Sequence, residues 1–109
     1  MAVSLPQELR SVLDGRSFAH LTTLDPNGFP QATAMWVMRD GDHIVFNTLE
    51  GRRKWRNIRN DPRVAISISP HYAPYLNYSI QGRVVEMRTS DGKQIIDRLA
   101  NKYRGVEEY

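Results

Sequence analysis

The 109-residue chain predicts an antiparallel, strand-dominated α+β domain. Two hairpin turns, Asp25-Pro26-Asn27-Gly28 and Asp40-Gly41-Asp42, each join apolar stretches. Val64, Ile66 and Ile68 alternate with Ala65, Ser67 and Ser69, the period of a strand. Near the two ends, Leu9, Val12 and Leu13, and then Ile95, Ile96, Leu99 and Tyr103, fall at helical spacing.

Pro6–Leu13 reads as a short helix, with Ser4 as its cap, Pro6 in the first turn and Gly15 as its stop. Ser17–Leu24 is a strand and Phe29–Arg39 its return, because Asn27-Gly28 suits a tight hairpin. The second turn leads into His43–Thr48, which completes a three-strand meander. Gly51–Asn60 is a short basic helix whose only apolar residues, Trp55 and Ile58, lie three apart on one narrow edge; Asp61-Pro62 ends it. Arg63–Ser69 is the fourth strand and His71–Pro74 a loop. Tyr75–Arg88 is a long fifth strand bent at Gly82, and Ser90, with Asp91 after it, starts the last helix. Five such strands are expected to curl into a small barrel, since a flat sheet would keep two open edges. A further strand after Tyr109, or a partner chain, is expected to cover the remaining edge.

Residues 1–109 form one domain with an ordinary soluble composition, 40% hydrophobic and 25% charged. The chain has no cysteine, which excludes disulfides, thiolate metal sites and cysteine nucleophiles. No apolar run approaches the roughly 20 residues of a membrane helix. The N-terminal MAVSLPQELR has neither the charged start nor the apolar middle of a signal peptide. A cytoplasmic protein without a membrane partner is the expectation.

Charge singles out one segment. Residues 51–63 hold six basic side chains and one acid, Asp61, so they carry +5 in a chain of net +3. The basicity is local and points to a local anionic ligand. Thr48, Arg52 and Lys54 arrive where a strand hands over to a helix. There, backbone N–H groups, an Arg fork and a Lys point charge can converge on a phosphate. Arg56, Arg59 and Arg63 are read as a solvated helix face. Nucleic acid is disfavoured as the partner, because the patch spans barely one helix and the rest of the chain is net acidic.

Other chemistry is scarce. His20, His43 and His71 have no ligand-like neighbours at metal spacing, so no metal site is expected. No nucleophile elbow, P-loop or dinucleotide fingerprint is present, and no catalytic side chain is assigned. An enzyme of this kind would borrow its chemistry from a cofactor. The strand Pro30–Met38 offers small residues at alternate positions, Ala32 and Ala34, which leave room for a flat ligand or a tightly packed core. Tyr72, Tyr75 and Tyr78 could form an aromatic wall or a protein interface.

The segments LTTLDPNGFPQATAMW, IVFNTLEGRRKWRNIRNDPRVAISI, IQGRVVEM and IDRLANKY resemble the split β-barrel flavin/deazaflavin oxidoreductases, the superfamily of pyridoxamine 5′-phosphate oxidase. The resemblance runs from about Leu5 to Tyr109 and is nearest to the coenzyme F420-dependent branch. Its most specific part is Thr48-x-x-Gly51-Arg52-x-Lys54-x-x-Asn57, followed by Asp61-Pro62-Arg63-Val64. It implies a small split β-barrel with short flanking helices, lacking the family's C-terminal strand, and a homodimer with cofactor sites at the interface. Thr48, Arg52 and Lys54 would hold the cofactor phosphate. The ring would lie near Gln31, Thr33, Ala34 and Met35, and a second subunit would close the site around Tyr78 and Gln81. Arg53, Arg56 and Arg59 would attract the anionic tail of F420. The function implied is hydride transfer between F420 and a small conjugated substrate. The alternatives are an FMN-dependent oxidoreductase or electron carrier, and a cofactor-binding protein without turnover.

Overall fold

In a computed structural model, residues 4–88 and 92–105 are described. Along the chain they form α1 (Gln7–Asp14), β1 (Phe18–Leu24), β2 (Pro30–Met35), β3 (Val37–Asp40), β4 (His43–Phe46), α2 (Arg53–Asn60), β5 (Arg63–Ser69), β6 (Tyr78–Arg83) and α3 (Gly92–Arg104). All strand pairs are antiparallel, in a four-stranded sheet of order β2-β1-β5-β6 and a two-stranded sheet β3-β4. No ladder joins the sheets among the described residues, so the barrel expected from five strands is split. Both sheets share one core. Leu9, Val12 and Leu13 of α1 meet Ala19 and Leu21 of β1, Val37 of β3, Ile58 of α2, and Ile66 and Ile68 of β5.

Local signals hold well. Gly28 takes φ +85° and its N–H donates to Asp25 O (2.8 Å), while the Asn27 side chain accepts the Phe29 N–H (3.0 Å). Gly41, at φ +60°, makes the second hairpin turn. Such left-handed backbone favours glycine. The α1 cap differs from expectation: Ser4 Oγ accepts from Arg10 (3.2 Å), while Pro6 stands at the N-cap without a side-chain capping bond.

The predicted strand Phe29–Arg39 is in fact two. β2 pairs with β1 as far as Ala19↔Met35, and β3 pairs with β4 from Val37↔Phe46, so the chain changes sheets at Trp36. Helix α3 pins this crossing. Tyr103 stacks on Trp36 (5.5 Å between centroids, 8° between planes), and its hydroxyl accepts the Val37 N–H at 3.2 Å and faces Ser17 O at 3.1 Å. Lys102 Nζ donates to Leu13 O and Val37 O. The predicted strand Tyr75–Arg88 shrinks to β6. Its start waits for a turn in which Leu76 N–H donates to Ala73 O (3.0 Å). Its end follows from Pro62: Val84 N–H takes the Pro62 carbonyl (2.9 Å), but proline has no N–H to return, and the partner strand begins at Arg63. The expected helix start at Ser90 and Asp91 lies outside the described residues.

Burial lowers Lys102 from 10.5 to about 8, against the opposing pull of Asp14. A folded pKa below the ordinary value means that the ammonium costs stability below about pH 8, and that this cost fades as pH rises toward 10.5. Urea unfolding is therefore expected to show stability climbing through that window, and Lys102→Met should flatten the climb. An identical climb in the variant would assign it to other groups.

Candidate functional site

The candidate site lies where β4 hands over to α2. Asn47 Nδ2 donates to Gly92 O (3.0 Å), which ties the end of β4 to the start of α3. Gly51, at φ +85°, and the bond from Arg52 N–H to Leu49 O (3.2 Å) then reverse the chain into α2. Arg52 stands at the N-cap with extended backbone, no side chain caps the helix, and its first turn holds no acid. A helix start carries partial positive charge and unpaired N–H groups. Arg52, Arg53 and Lys54 add cations to an end that favours anions.

The structure sorts these cations. Arg53 is consumed by Asp25 in the β1–β2 turn: Nε donates to Oδ1 at 2.9 Å and Nη2 to Oδ2. That pairing, with the Asn57 hydrogen bond, holds the Asp25 carboxyl below its usual range. Arg53 is thus not the spare cation that the sequence suggested. Arg63 pairs with Asp61 at 2.7 Å and drives that acid down to about 2, and Arg59 lies over the Trp55 ring at 4.8 Å. The side chains of Arg52 and Lys54 make no hydrogen bond or ion pair among the described residues. Lys54 is half-buried, and burial first, then the charge of Arg52, lowers its pKa. Thr48, also half-buried, lies in the same connection.

A buried polar network joins this junction to β2. Asn57 Nδ2 donates to Thr23 Oγ1 (3.1 Å) and Asp25 Oδ1 (2.9 Å), with Asn57 3% and Thr23 0% exposed. Gln31 is the cross-strand partner of Thr23, and Thr33 that of the buried Leu21. Both therefore face inward, and Gln31 Oε1 and Thr33 Oγ1 are buried without a hydrogen-bond partner. Met35 shares that face, whereas Ala34 points outward beside His20. β2 is a sheet edge, so a ligand along it reaches both faces and the strand's unpaired backbone groups. Tyr78 lies on β6, at the opposite edge of the sheet, with its hydroxyl 3.5 Å from Glu8. A single chain does not bring it to the junction.

Sequence reasoning gave no site role to Thr23, Asp25 or Asn57, although Asn57 stands in the motif that carries the resemblance. The available signal was a short polar residue inside a helix, where asparagine is a weak former unless its amide has a partner. It also passed over the cleft of about 720 Å³ at the Met35 end of β2, bordered by Ala34, Trp36 and Tyr103.

The sequence profile of the pyridoxamine 5′-phosphate oxidase family matches residues 5–107. The chain belongs to that family. Its fold agrees with solved structures of this flavin/deazaflavin oxidoreductase superfamily. An F420 reductase is 31% identical, with a TM-score of 0.81 over 91% of this chain and 79% of that one. A pyridoxamine 5′-phosphate oxidase candidate from Listeria innocua is 20% identical, with a TM-score of 0.69 over 88% and 77%. A conserved hypothetical protein from Mycobacterium tuberculosis is 24% identical, with a TM-score of 0.64 over 99% and 68%. A search of the curated proteins found no match. Members of this family carry their redox chemistry on a bound flavin or deazaflavin. The residues present fit such a group, since two uncompensated cations stand at a helix start and two orphaned polar atoms lie on β2. Among the described residues there is no cluster of metal-ligating side chains, and no helix is long and apolar enough to cross a membrane.

Proposed function

We propose that the protein is an oxidoreductase that uses coenzyme F420 to reduce a small conjugated substrate. The observation that carries this reading is Lys54: a half-buried ammonium beside Arg52, at a helix start, with no carboxylate partner among the described residues. A phosphate oxygen supplies the missing countercharge. In this reading Thr48, Arg52 and Lys54 hold the cofactor phosphate. Gln31 and Thr33 offer hydrogen bonds to its polar atoms, and Ala34 and Met35 flank its ring. The cofactor, when bound, supplies the hydride. The chain contributes position, exclusion of water and electrostatic fit.

FMN shares the phosphate and the tricycle. F420 is favoured by its anionic tail, since Arg56 and Arg59 remain exposed beyond the phosphate site, and by the 31% identity to an F420 reductase. A homodimer completes the reading. Phe18, Tyr72, Tyr75 and Leu76 are exposed large apolar side chains, and a second copy would cover them while bringing its Tyr78 to the site. Neither nucleic acid nor membrane is a partner, and the cytoplasm is the compartment in this reading.

Paired titrations of the purified protein, F420 by fluorescence polarisation and FMN by quenching, test it. Affinity for F420 of about micromolar or better, with weaker FMN, is the expected result. The reverse order would move the protein to the flavin-dependent reading, and binding of neither would return α2 to a solvated surface.

A further inference from the structure

The cleft at the Met35 end of β2 is a candidate second half of the site. Its volume of about 720 Å³ suits a small organic molecule. Its lining includes Trp36 and Tyr103, whose rings are stacked within 8° of parallel. The small side chain of Ala34 and the half-exposed ring of Phe18 line it as well. Such walls accept a planar conjugated body.

The ionisable groups facing the cleft come from four elements or connections: Arg16 before β1, His20 on β1, His71 after β5 and Tyr103 on α3. No carboxylate lines it. Most of these groups are already engaged. Arg16 Nε donates to Lys102 O (2.9 Å), the Tyr103 hydroxyl sits between Val37 and Ser17, and His71 packs edge-on against Tyr72 (5.6 Å). His20 makes no hydrogen bond or ion pair among the described residues. Its cross-strand neighbours are Ala34 on one side and Ser67 on the other, so its imidazole borders the open space above Ala34.

We infer that this cleft binds a planar conjugated carboxylate, with His20 as the residue that selects for the acid. Charge complementarity favours an anion where the polar rim is basic or neutral throughout. A carboxylate needs only one or two donors, which His20 and the nearby Arg16 charge provide, whereas a phosphate would leave oxygens unpaired. That the bound acid is also the hydride acceptor rests on the function proposed above. Gln31 and Met35 are separated by about 13 Å of strand, so one extended cofactor could span from the basic junction to the cleft.

Calorimetric titration with trans-cinnamate and with cinnamyl alcohol, which share one conjugated body, separates the terms. Cinnamate is expected to bind about tenfold tighter than the alcohol. His20→Ala should erase that preference, bringing the acid to the alcohol's affinity. Ala34→Phe, which fills the cleft, should abolish both. Because His20 is exposed, its variant should melt with the parent, and it decides the matter even where Ala34→Phe does not fold. Equal binding of acid and alcohol, or a preference that survives His20→Ala, overturns the inference. Parallel F420 and FMN titrations distinguish the failures. Cofactor binding without acid selectivity leaves the proposed function standing and removes the cleft. Acid selectivity without cofactor binding does the reverse.

Discussion

Lys54→Ala is expected to weaken a phosphate-bearing cofactor by about 1.5–3 kcal/mol, or roughly 10- to 150-fold in Kd, the scale of a charge-assisted hydrogen bond. The same change should leave the melting temperature equal or slightly higher. Burial and the Arg52 charge already press the ammonium toward its neutral form, and no carboxylate compensates it among the described residues. Removing it relieves the folded protein of an awkward charge, the trade of stability for function common at binding sites. Riboflavin, the phosphate-free flavin, provides the control, and its affinity should be indifferent to the substitution. Loss of both flavins equally would mean that Lys54 supports the site's shape, and unchanged affinity for FMN and F420 would remove it from the site. The sign of the pH effect follows from the same argument. Phosphate favours the charged lysine, so affinity should decline as alkaline pH deprotonates it.

That Lys54 and Arg52 could be chosen from the sequence owes to locality. Six cations within thirteen residues are visible without a fold. Which of them remains uncompensated is not, because the carboxylate that neutralises Arg53 lies 28 residues earlier. The fold divides in the same way. The Asn27-Gly28 and Gly41 turns, the α1 stripe and the alternation of β5 are set by neighbours in the chain, and they were legible. The change of sheets at Trp36 is not written in its own segment, where apolar residues simply continue. It is imposed by Tyr103, 66 residues after Val37, whose N–H it takes. The end of β6 had a readable cause in Pro62, but only once β5 and β6 are known to pair. The opposite faces of Gln31 and Ala34 follow from period two alone. Gln31, Thr33 and Met35 alternate with Ala34 across β2, so a ligand that touches all four lies along the strand's free edge.

Asn57→Leu should lower stability by about 1–3 kcal/mol, with a melting temperature lower by roughly 5–20 °C. The amide is 3% exposed and bridges Thr23 Oγ1 to Asp25 Oδ1, so leucine leaves a fully buried hydroxyl oxygen without its donor. Thr23→Val alone removes the other end of the Thr23–Asn57 bond. With both partners apolar, no polar atom of that pair is stranded, and the double variant should cost less than the sum of the singles. Additive losses in urea unfolding would show that the two side chains do not act as a pair. The network also fixes where α2 begins relative to β1, and so where Arg52 and Lys54 stand relative to Gln31. Asn57→Leu should therefore weaken FMN more than riboflavin when both are titrated well below its melting temperature. A folded variant that loses the two flavins in equal proportion would confine Asn57 to stability. A selective loss of FMN would mean that a buried amide without ligand contact sets the position of the phosphate site.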